Sequence, residues 1–208
     1  MSSTARKLTR DLCEYPDRLY LACYTSPPTS STPFPPPAIP DPYKMTAASA
    51  PKLAGAARSP RKGKNAVTNS SGLRPVYFNV DDALLYNAFH HDFGPLHIGH
   101  LYKFAITFHD ILGAPKHENR VVVFWSRPDV KARANAACLL ACYMVLVQSW
   151  PPHLALSPLS LCDPPLAPFR DAGYSQADFS LTVQDVVYGV WKAKEKGLIS
   201  LRDFSLEE

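Results

Sequence analysis

The five cysteines are the residues of this 208-residue chain best suited to nucleophilic chemistry, because a thiolate attacks phosphorus readily. A cysteine-based phosphoryl-transfer site also needs an arginine six positions later, whose guanidinium binds the phosphoryl oxygens at a helix N-terminus. No cysteine here has an arginine at that spacing, so the sequence predicts no catalytic residue of this kind. The cysteines are Cys13, Cys23, Cys138, Cys142 and Cys162.

One segment nevertheless has the layout of a phosphate-binding site. Residues 120–146 read RVVVFWSRPDVKARANAACLLACYMVL, which is an apolar strand, a basic loop and an apolar helix. Trp125 stands roughly where the nucleophile would be, and an indole cannot attack phosphorus. Pro128 and Asp129 replace the small residues whose amides would surround a phosphate. We interpret the segment as a degenerate active site.

Three basic side chains of this segment could still bind an anion, namely Arg127, Lys131 and Arg133. Arg133 could correspond to the phosphate-binding arginine of an active loop. The alternative is a solvated basic loop without a ligand, and the sequence leaves both open.

The histidines do not form a recognisable metal pattern. Five of the seven fall between His90 and His109, and His97 and His100 have a spacing that can share a metal ion. No cysteine or acidic cluster completes a zinc motif, so we expect neither a metal nor a cofactor. Cys138 and Cys142, one helical turn apart in an apolar run, are expected to be core residues rather than a redox pair.

Composition and charge favour an intracellular protein. The net charge of +4 is small and is not clustered as in typical nucleic-acid-binding proteins. The start of the chain has no apolar signal region, and no stretch of about 18 apolar residues occurs. We expect reduced thiols, no membrane association, and a nuclear or cytoplasmic location.

Composition also divides the chain into a folded body and an insert. Residues 1–13 are expected to be a flexible N-terminus, and residues 14–24 alternate as in a first strand. Residues 25–73 are rich in Pro, Ser, Ala and Lys. They bury too little apolar surface to offset the entropy of ordering, so we predict a disordered insert. Residues 74–208 should complete a single domain.

The predicted architecture is α/β, a small central sheet flanked by helices. The continuously apolar VVVFW predicts a central strand buried on both faces. A strand at residues 76–80 should precede a short helix that Asp81 or Asp82 caps. Apolar spacing, cap residues and terminal glycines predict three longer helices. These helices lie at about residues 95–113, 131–148 and 182–197.

Five strings in the body of the chain are recognisable, and they occur in this order: DRLYLACY, VYFNVDDALLYNAFHHDFGPLHIGHLYKF, RANAACLLACYMV, PPLAPFRDAG and LISLRDFSLEE. Together they resemble the N-terminal domain of the cell-division-cycle-fourteen family of dual-specificity protein phosphatases, the mitotic-exit phosphatases. The resemblance covers about residues 17–24 and 75–208, and the Pro-rich insert is not part of it. It implies a dual-specificity-phosphatase-like fold.

The resemblance further implies two phosphatase-like domains in tandem, of which only the second carries the Cys-x5-Arg loop. This chain would be the non-catalytic half, with the catalytic domain as its partner in cis or in trans. Between the domains, an acidic groove would receive the basic residue that follows a phosphorylated Ser-Pro. The candidate groove residues here are Asp203, Glu207 and Glu208, near the start of the linker; the alternative is a solvated acidic tail.

Two functions from different classes follow. A phosphatase N-terminal domain that scaffolds a catalytic domain predicts an exposed apolar docking face. A free-standing pseudophosphatase that binds phosphoproteins through the degenerate loop predicts phosphopeptide affinity that Arg133→Ala abolishes. An active phosphatase would need a nucleophile that the sequence lacks.

The insert carries SPRK at residues 59–62, a string of the kind that proline-directed kinases phosphorylate. Phosphorylation of Ser59 would place about two negative charges in a basic tract. The surrounding RSPRKGK could also serve as a nuclear localisation signal. Phosphoproteins made by proline-directed kinases are the substrates that the resemblance implies.

Overall fold

The computed structural model describes residues 12–15, 18–29, 31, 32, 34 and 75–200. Ser59, the candidate groove residues Asp203, Glu207 and Glu208, and most of the predicted insert lie outside these ranges.

A four-stranded sheet forms the centre of the described structure, in the order β1-β2-β4-β3. The central strand, β4, pairs in parallel with β2 on one side and β3 on the other, and all five of its residues are buried. The prediction that VVVFW is a central strand is therefore confirmed. The strands are β1 (Leu12–Glu14), β2 (Leu19–Cys23), β3 (Val76–Phe78) and β4 (Val122–Ser126).

The N-terminal edge of this sheet differs from the prediction. We expected a flexible terminus up to residue 13, but Leu12–Glu14 forms β1, which pairs antiparallel with β2, and Cys13 is only 5% exposed. The backbone N–H of Tyr15 donates to the carbonyl oxygen of Leu19 at 2.9 Å and closes a hairpin. The predicted single strand over 14–24 is thus two strands, β1 and β2, which pair antiparallel.

Three of the helices match the predictions: α1 (Ile98–Gly113), α2 (Val130–Leu146) and α4 (Val183–Glu195). Thr182 and Asp185 form the expected capping box of α4, and Gly197 follows with a φ of 68°. Elements that were not predicted are a short helix α3 (Pro152–Leu156), 3₁₀ helices at Pro115–His117 and Ser157–Leu161, and a hairpin of β5 (Phe169–Arg170) and β6 (Ser180–Leu181).

The short helix predicted after Asp81 and Asp82 does not form. The N–H groups of Ala83 and Leu84 both donate to the carbonyl oxygen of Val80, which makes a single turn. The two carboxylates are not available as helix caps, because they bind the loop that follows β4.

Helix α2 is the centre of the core, with 13 buried residues that face the sheet and the other helices. A cluster of aromatic rings joins the sheet to α1, and Phe104 and Phe124 lie 5.0 Å apart in it. Each such side chain, fully buried, stabilises the fold by about 1.5 to 3 kcal/mol. The sheet, α1 and α2 therefore share one hydrophobic core.

The second face of the sheet is covered by aromatic side chains in the described residues. Trp125 is buried there with Val123, and the ring of Phe34 packs edge-on against Tyr20 at 5.0 Å. The hydroxyl of Tyr77 donates to the carbonyl oxygen of Thr32 at 3.5 Å. The start of the segment predicted to be disordered therefore packs on the sheet, and residues 35–74 lie outside the described ranges.

Two basic side chains bind the carbonyl oxygens at helix ends. Arg18 donates to Leu112, at the end of α1, and to His117 and Arg120 beyond it. Lys194 donates to Val145 and Leu146 at the end of α2. Among the described helices, none has the length and apolar character needed to cross a membrane.

Candidate functional site

Three residues, 127–129, connect the end of β4 to the start of α2. Asp129 caps the helix, and its Oδ1 accepts hydrogen bonds from the backbone N–H groups of Lys131 at 2.9 Å and Ala132 at 3.0 Å. These are the amides with which a helix N-terminus binds an anion. The anion position at this helix is therefore already filled by a carboxylate of the chain itself.

Arg127 is likewise engaged within the chain. Its guanidinium lies 2.6 Å from both carboxylate oxygens of Asp82, and its backbone N–H donates to Asp81 at 2.7 Å. The hydrogen bond with Asp82 raises the pKa of Arg127 above its ordinary value. The positive charge of Arg127 is thus matched by a carboxylate on the turn after β3.

The other two basic candidates point elsewhere. Lys131 Nζ lies 5.7 Å from the centre of the Phe93 ring, in the range of a cation–π contact. Arg133 is only 7% exposed and donates to the carbonyl oxygen of Pro164 at 2.7 Å. Arg133 therefore holds the segment after the second 3₁₀ helix rather than facing a solvent-filled loop.

Trp125 and Ser126 lie on opposite faces of β4. The Trp125 ring packs at 6.2 Å from Tyr24 on the second face of the sheet. Ser126, which sequence analysis missed, is fully buried on the helix side and lines a cavity of about 20 Å³ together with Arg133. That space holds about one water molecule, not a phosphate group. The strict alternation of side chains along a strand could have predicted this arrangement.

The residues predicted as a degenerate phosphate loop divide between different spaces: Arg127 and Lys131 line a cavity of about 280 Å³ with Asp129, and Arg133 lines the cavity of about 20 Å³. The Trp125 ring packs near Tyr24, Arg127 donates to Asp82, Lys131 lies over the Phe93 ring, and Arg133 donates to Pro164. The guanidinium groups of Arg127 and Arg133 and the first amides of α2 are thus engaged within the chain.

The string DFGPL has a structural role. The Asp92 carboxylate accepts hydrogen bonds from the Tyr86 hydroxyl and the His90 backbone N–H, both at 2.6 Å. The bond from Tyr86 lowers the pKa of Asp92 and raises the pKa of Tyr86 to about 12. A Cβ atom on Gly94 would lie 2.9 Å from the Tyr86 ring, so a larger residue there would displace the tyrosine.

The string PFRDA pairs directly with DFGPL. Phe93 and Arg170 exchange two backbone hydrogen bonds, of 3.1 and 2.7 Å, and the rings of Phe93 and Phe169 lie 5.0 Å apart. Two of the most specific strings of the sequence thus form one long-range contact. The contact gives both strings a role in packing.

The described residues include no group of three or more His, Cys, Asp or Glu side chains placed to hold a metal ion. The His97 and His100 rings stack at 3.8 Å, and burial is the main cause that lowers the pKa of His100.

An apolar cavity of about 610 Å³ lies between α1, α2, α4 and residues 197–200. Two side chains at its edge are exposed although they are apolar, Ile98 at 40% and Leu198 at 79%. Its walls are mainly aliphatic, with Leu96, Leu101, Leu139, Val186, Val190 and Ile199 among them. This cavity is an apolar feature of the described surface that could receive another polypeptide.

Comparison with known proteins gives the family. Residues 61–193 match the family described as dual specificity protein phosphatase, N-terminal half. The chain is 60% identical to the tyrosine-protein phosphatase cdcA of Emericella nidulans over 192 residues. This aligned segment covers 92% of this chain and 29% of that protein. It is 63% identical to the tyrosine-protein phosphatase CDC14 of Saccharomyces cerevisiae over 132 residues. This aligned segment covers 64% of this chain and 24% of that protein.

A human relative is more distant. The chain is 34% identical over 132 residues to the human dual specificity protein phosphatase CDC14C, covering 64% of this chain and 30% of that protein. The chain thus spans less than a third of the length of each of these relatives. The family match starts at residue 61, inside the predicted insert. The match over most of the chain shows that it belongs to the family of N-terminal halves of dual specificity protein phosphatases, of the cell-cycle Cdc14 type.

Proposed function

We propose that this chain is the non-catalytic N-terminal half of a mitotic-exit-type dual-specificity phosphatase and that it scaffolds the catalytic half. The apolar cavity between α1, α2 and α4 carries the proposal. An open apolar surface of this size is costly to leave in water, and it borders residues 197–200, from which the chain continues. The matched segment is only 29% of the Emericella nidulans relative, so that protein contains further sequence that could fill the cavity.

The chemistry would belong entirely to the other half. The chain has no Cys-x5-Arg string, and Asp129 already occupies the amides at the start of α2. The purified chain is therefore expected to be inert toward a phospho-Ser-Pro-x-Lys peptide. Turnover of that peptide by the chain alone would contradict the proposal.

Co-purification tests the scaffolding role. The 208-residue chain is co-expressed with the separately encoded remainder of the Emericella nidulans relative, and the two are expected to co-elute. Ile98→Glu with Leu198→Glu places two charges at the edge of the cavity and should abolish co-elution. Leu161→Glu is the matched control, because Leu161 is similarly exposed, at 73%, and does not line the cavity. Equal loss or equal retention in both variants contradicts the proposed docking surface.

We propose further that Asp203, Glu207 and Glu208 contribute to the groove that receives the basic residue after phospho-Ser-Pro. A carboxylate in a partly desolvated groove forms a charge-assisted hydrogen bond with a lysine. In the assembled complex, Glu207→Gln with Glu208→Gln should raise KM for a phospho-Ser-Pro-x-Lys peptide and leave KM for a phospho-Ser-Pro-x-Ala peptide unchanged. An equal change for both peptides contradicts this assignment.

Phosphorylation of Ser59 and nuclear import through RSPRKGK are proposals from the sequence alone. Phosphopeptide mapping from dividing cells should detect modified Ser59. A fluorescent fusion should move from the nucleus to the cytoplasm when Arg61, Lys62 and Lys64 are changed to Ala. Unmodified Ser59 throughout the cell cycle, or an unchanged distribution, contradicts the respective proposal.

A further inference from the structure

Cys13 and Cys162 lie side by side although they are 149 positions apart in the chain. Their sulfur atoms are 3.2 Å apart, and neither is in a disulfide. Cys13 is buried on the edge strand β1, and Cys162 is half-buried directly after the second 3₁₀ helix. Disulfide sulfurs are about 2.05 Å apart, so a movement of about 1.2 Å would allow a bond to form.

A surface cavity gives access to this pair from one side. The cavity has a volume of about 480 Å³ and lies between α3, the second 3₁₀ helix and the start of α4, with Cys162 in its wall. Cys13 lies behind Cys162, and both line the small inner cavity that also contains Arg133. A small solute would therefore reach Cys162 first.

Cys13 is surrounded by Cys162, buried apolar groups and Arg133. The hydrogen bond with Cys162 and burial raise the pKa of Cys13, and the charge of Arg133 acts in the opposite direction. Cys13 is thus mainly a neutral thiol, and its attack on an oxidised Cys162 would require loss of its proton in the same step.

We propose that Cys13 and Cys162 are a redox pair that hydrogen peroxide converts reversibly into a disulfide. The Cys162 sulfur attacks one peroxide oxygen, the O–O bond breaks, and the other oxygen leaves as water with the thiol proton. The resulting sulfenic acid is attacked by the Cys13 sulfur. The S–S bond forms, and the second oxygen leaves as water with the Cys13 proton. Two thiols and one peroxide give one disulfide and two waters, and an external dithiol reverses the reaction.

The disulfide would fix the short edge strand β1 to the segment that Arg133 holds through Pro164. Because it closes a very long loop, it would strongly restrict the unfolded chain. We expect oxidation to raise the Tm of the 208-residue chain by at least about 5 °C.

Peptide mapping under non-reducing conditions tests the pair. The chain is treated with hydrogen peroxide, blocked with N-ethylmaleimide and digested with trypsin and chymotrypsin together. Both proteases are needed because trypsin alone leaves Cys138, Cys142 and Cys162 in one peptide. The expected product is a peptide that links Cys13 to Cys162 and disappears on reduction.

Matched cysteine variants complete the experiment. Cys13→Ser and, independently, Cys162→Ser should remove both the linked peptide and the rise in Tm, and Cys23→Ser should retain both. Circular dichroism verifies that each variant is folded. The proposal is overturned if the folded wild-type chain yields no such peptide, if Cys13 is linked to Cys23 instead, or if peroxide raises the Tm of Cys13→Ser equally.

Discussion

The Asp129 carboxylate lies 2.9 Å from the backbone nitrogen of Lys131, in the position that a phosphate would take at the start of α2. A helix N-terminus attracts one anion, and here a side chain of the loop supplies it. The segment therefore keeps the strand, loop and helix of a phosphate site while its amide donors are used within the chain.

Replacement of Asp129 by Ala should expose these donors. We expect the free energy of unfolding to fall by about 1 kcal/mol, the usual cost of losing an N-cap, as measured by urea denaturation. In the variant, inorganic phosphate should shift the amide NMR signals of Lys131 and Ala132, because no carboxylate competes for them. Asp178→Ala changes an exposed carboxylate outside the helices and is the control. Phosphate shifts of equal size in wild type and variant would show that Asp129 does not block the site.

Arg133→Met tests whether Arg133 is a structural residue or a phosphate ligand. Methionine keeps the length and the apolar contacts of the side chain and removes the 2.7 Å hydrogen bond to Pro164. We expect a loss of stability of about 1 kcal/mol, because Pro164 is exposed and water can replace the guanidinium at its carbonyl oxygen.

The same variant separates the two functions that the sequence left open. Because Arg133 is buried, wild type and Arg133→Met should bind a phospho-Ser-Pro-x-Lys peptide equally weakly in isothermal titration calorimetry. Wild-type affinity that disappears in Arg133→Met, with the variant still folded, would instead support a pseudophosphatase.

The sequence predicted an element correctly where its apolar pattern extended over many consecutive residues. Helix α2 and strand β4 were predicted because 13 residues of the helix and all five of the strand are buried, which leaves continuous apolar runs. The capping box of α4 lies within four residues, so it could also be predicted from the sequence. Strand β1 was missed because three residues carry no measurable periodicity.

The directions of the basic side chains could not be predicted in the same way. The partner of Arg127 is Asp82, 45 positions away, and the partner of Arg133 is Pro164, 31 positions away. Such contacts depend on how the elements pack, which no local pattern encodes. The sequence therefore identified the connection between β4 and α2, and the structure shows that Arg127 pairs with Asp82 and that Arg133 binds a backbone carbonyl oxygen.

Lys194→Met should weaken the junction between α2 and α4. The ammonium group donates to the carbonyl oxygens of Val145 at 2.8 Å and Leu146 at 3.2 Å, which have no partner within their own helix. We expect a loss of about 1.5 kcal/mol in urea denaturation. Lys192→Met is the matched control, because Lys192 lies in the same last turn of α4 and is exposed. Equal losses of stability in the two variants would mean that Lys194 acts through its charge at the C-terminus of α4 and not through these hydrogen bonds.

Tyr86→Phe should change how stability depends on pH. The 2.6 Å hydrogen bond from Tyr86 favours the ionised form of Asp92 and lowers its pKa below the unfolded value of about 3.9. The resulting stabilisation is fully present above the unfolded pKa and is lost as pH falls through the folded pKa. The Tm difference between wild type and Tyr86→Phe should therefore be largest between about pH 5 and 7 and should shrink as pH falls below about 4.

Differential scanning calorimetry from pH 3 to 7 measures that difference, with Tyr188→Phe as a control that removes a hydroxyl on α4 away from Asp92.

A second variant, Gly94→Ala, should act through the same hydrogen bond, because its Cβ atom would displace the Tyr86 ring. The Tm losses of Tyr86→Phe and Gly94→Ala should then be less than additive in the double variant, since both remove one interaction. A Tm difference that stays constant down to pH 3, or full additivity, would mean that Tyr86 stabilises this region through packing and not through the Asp92 carboxylate.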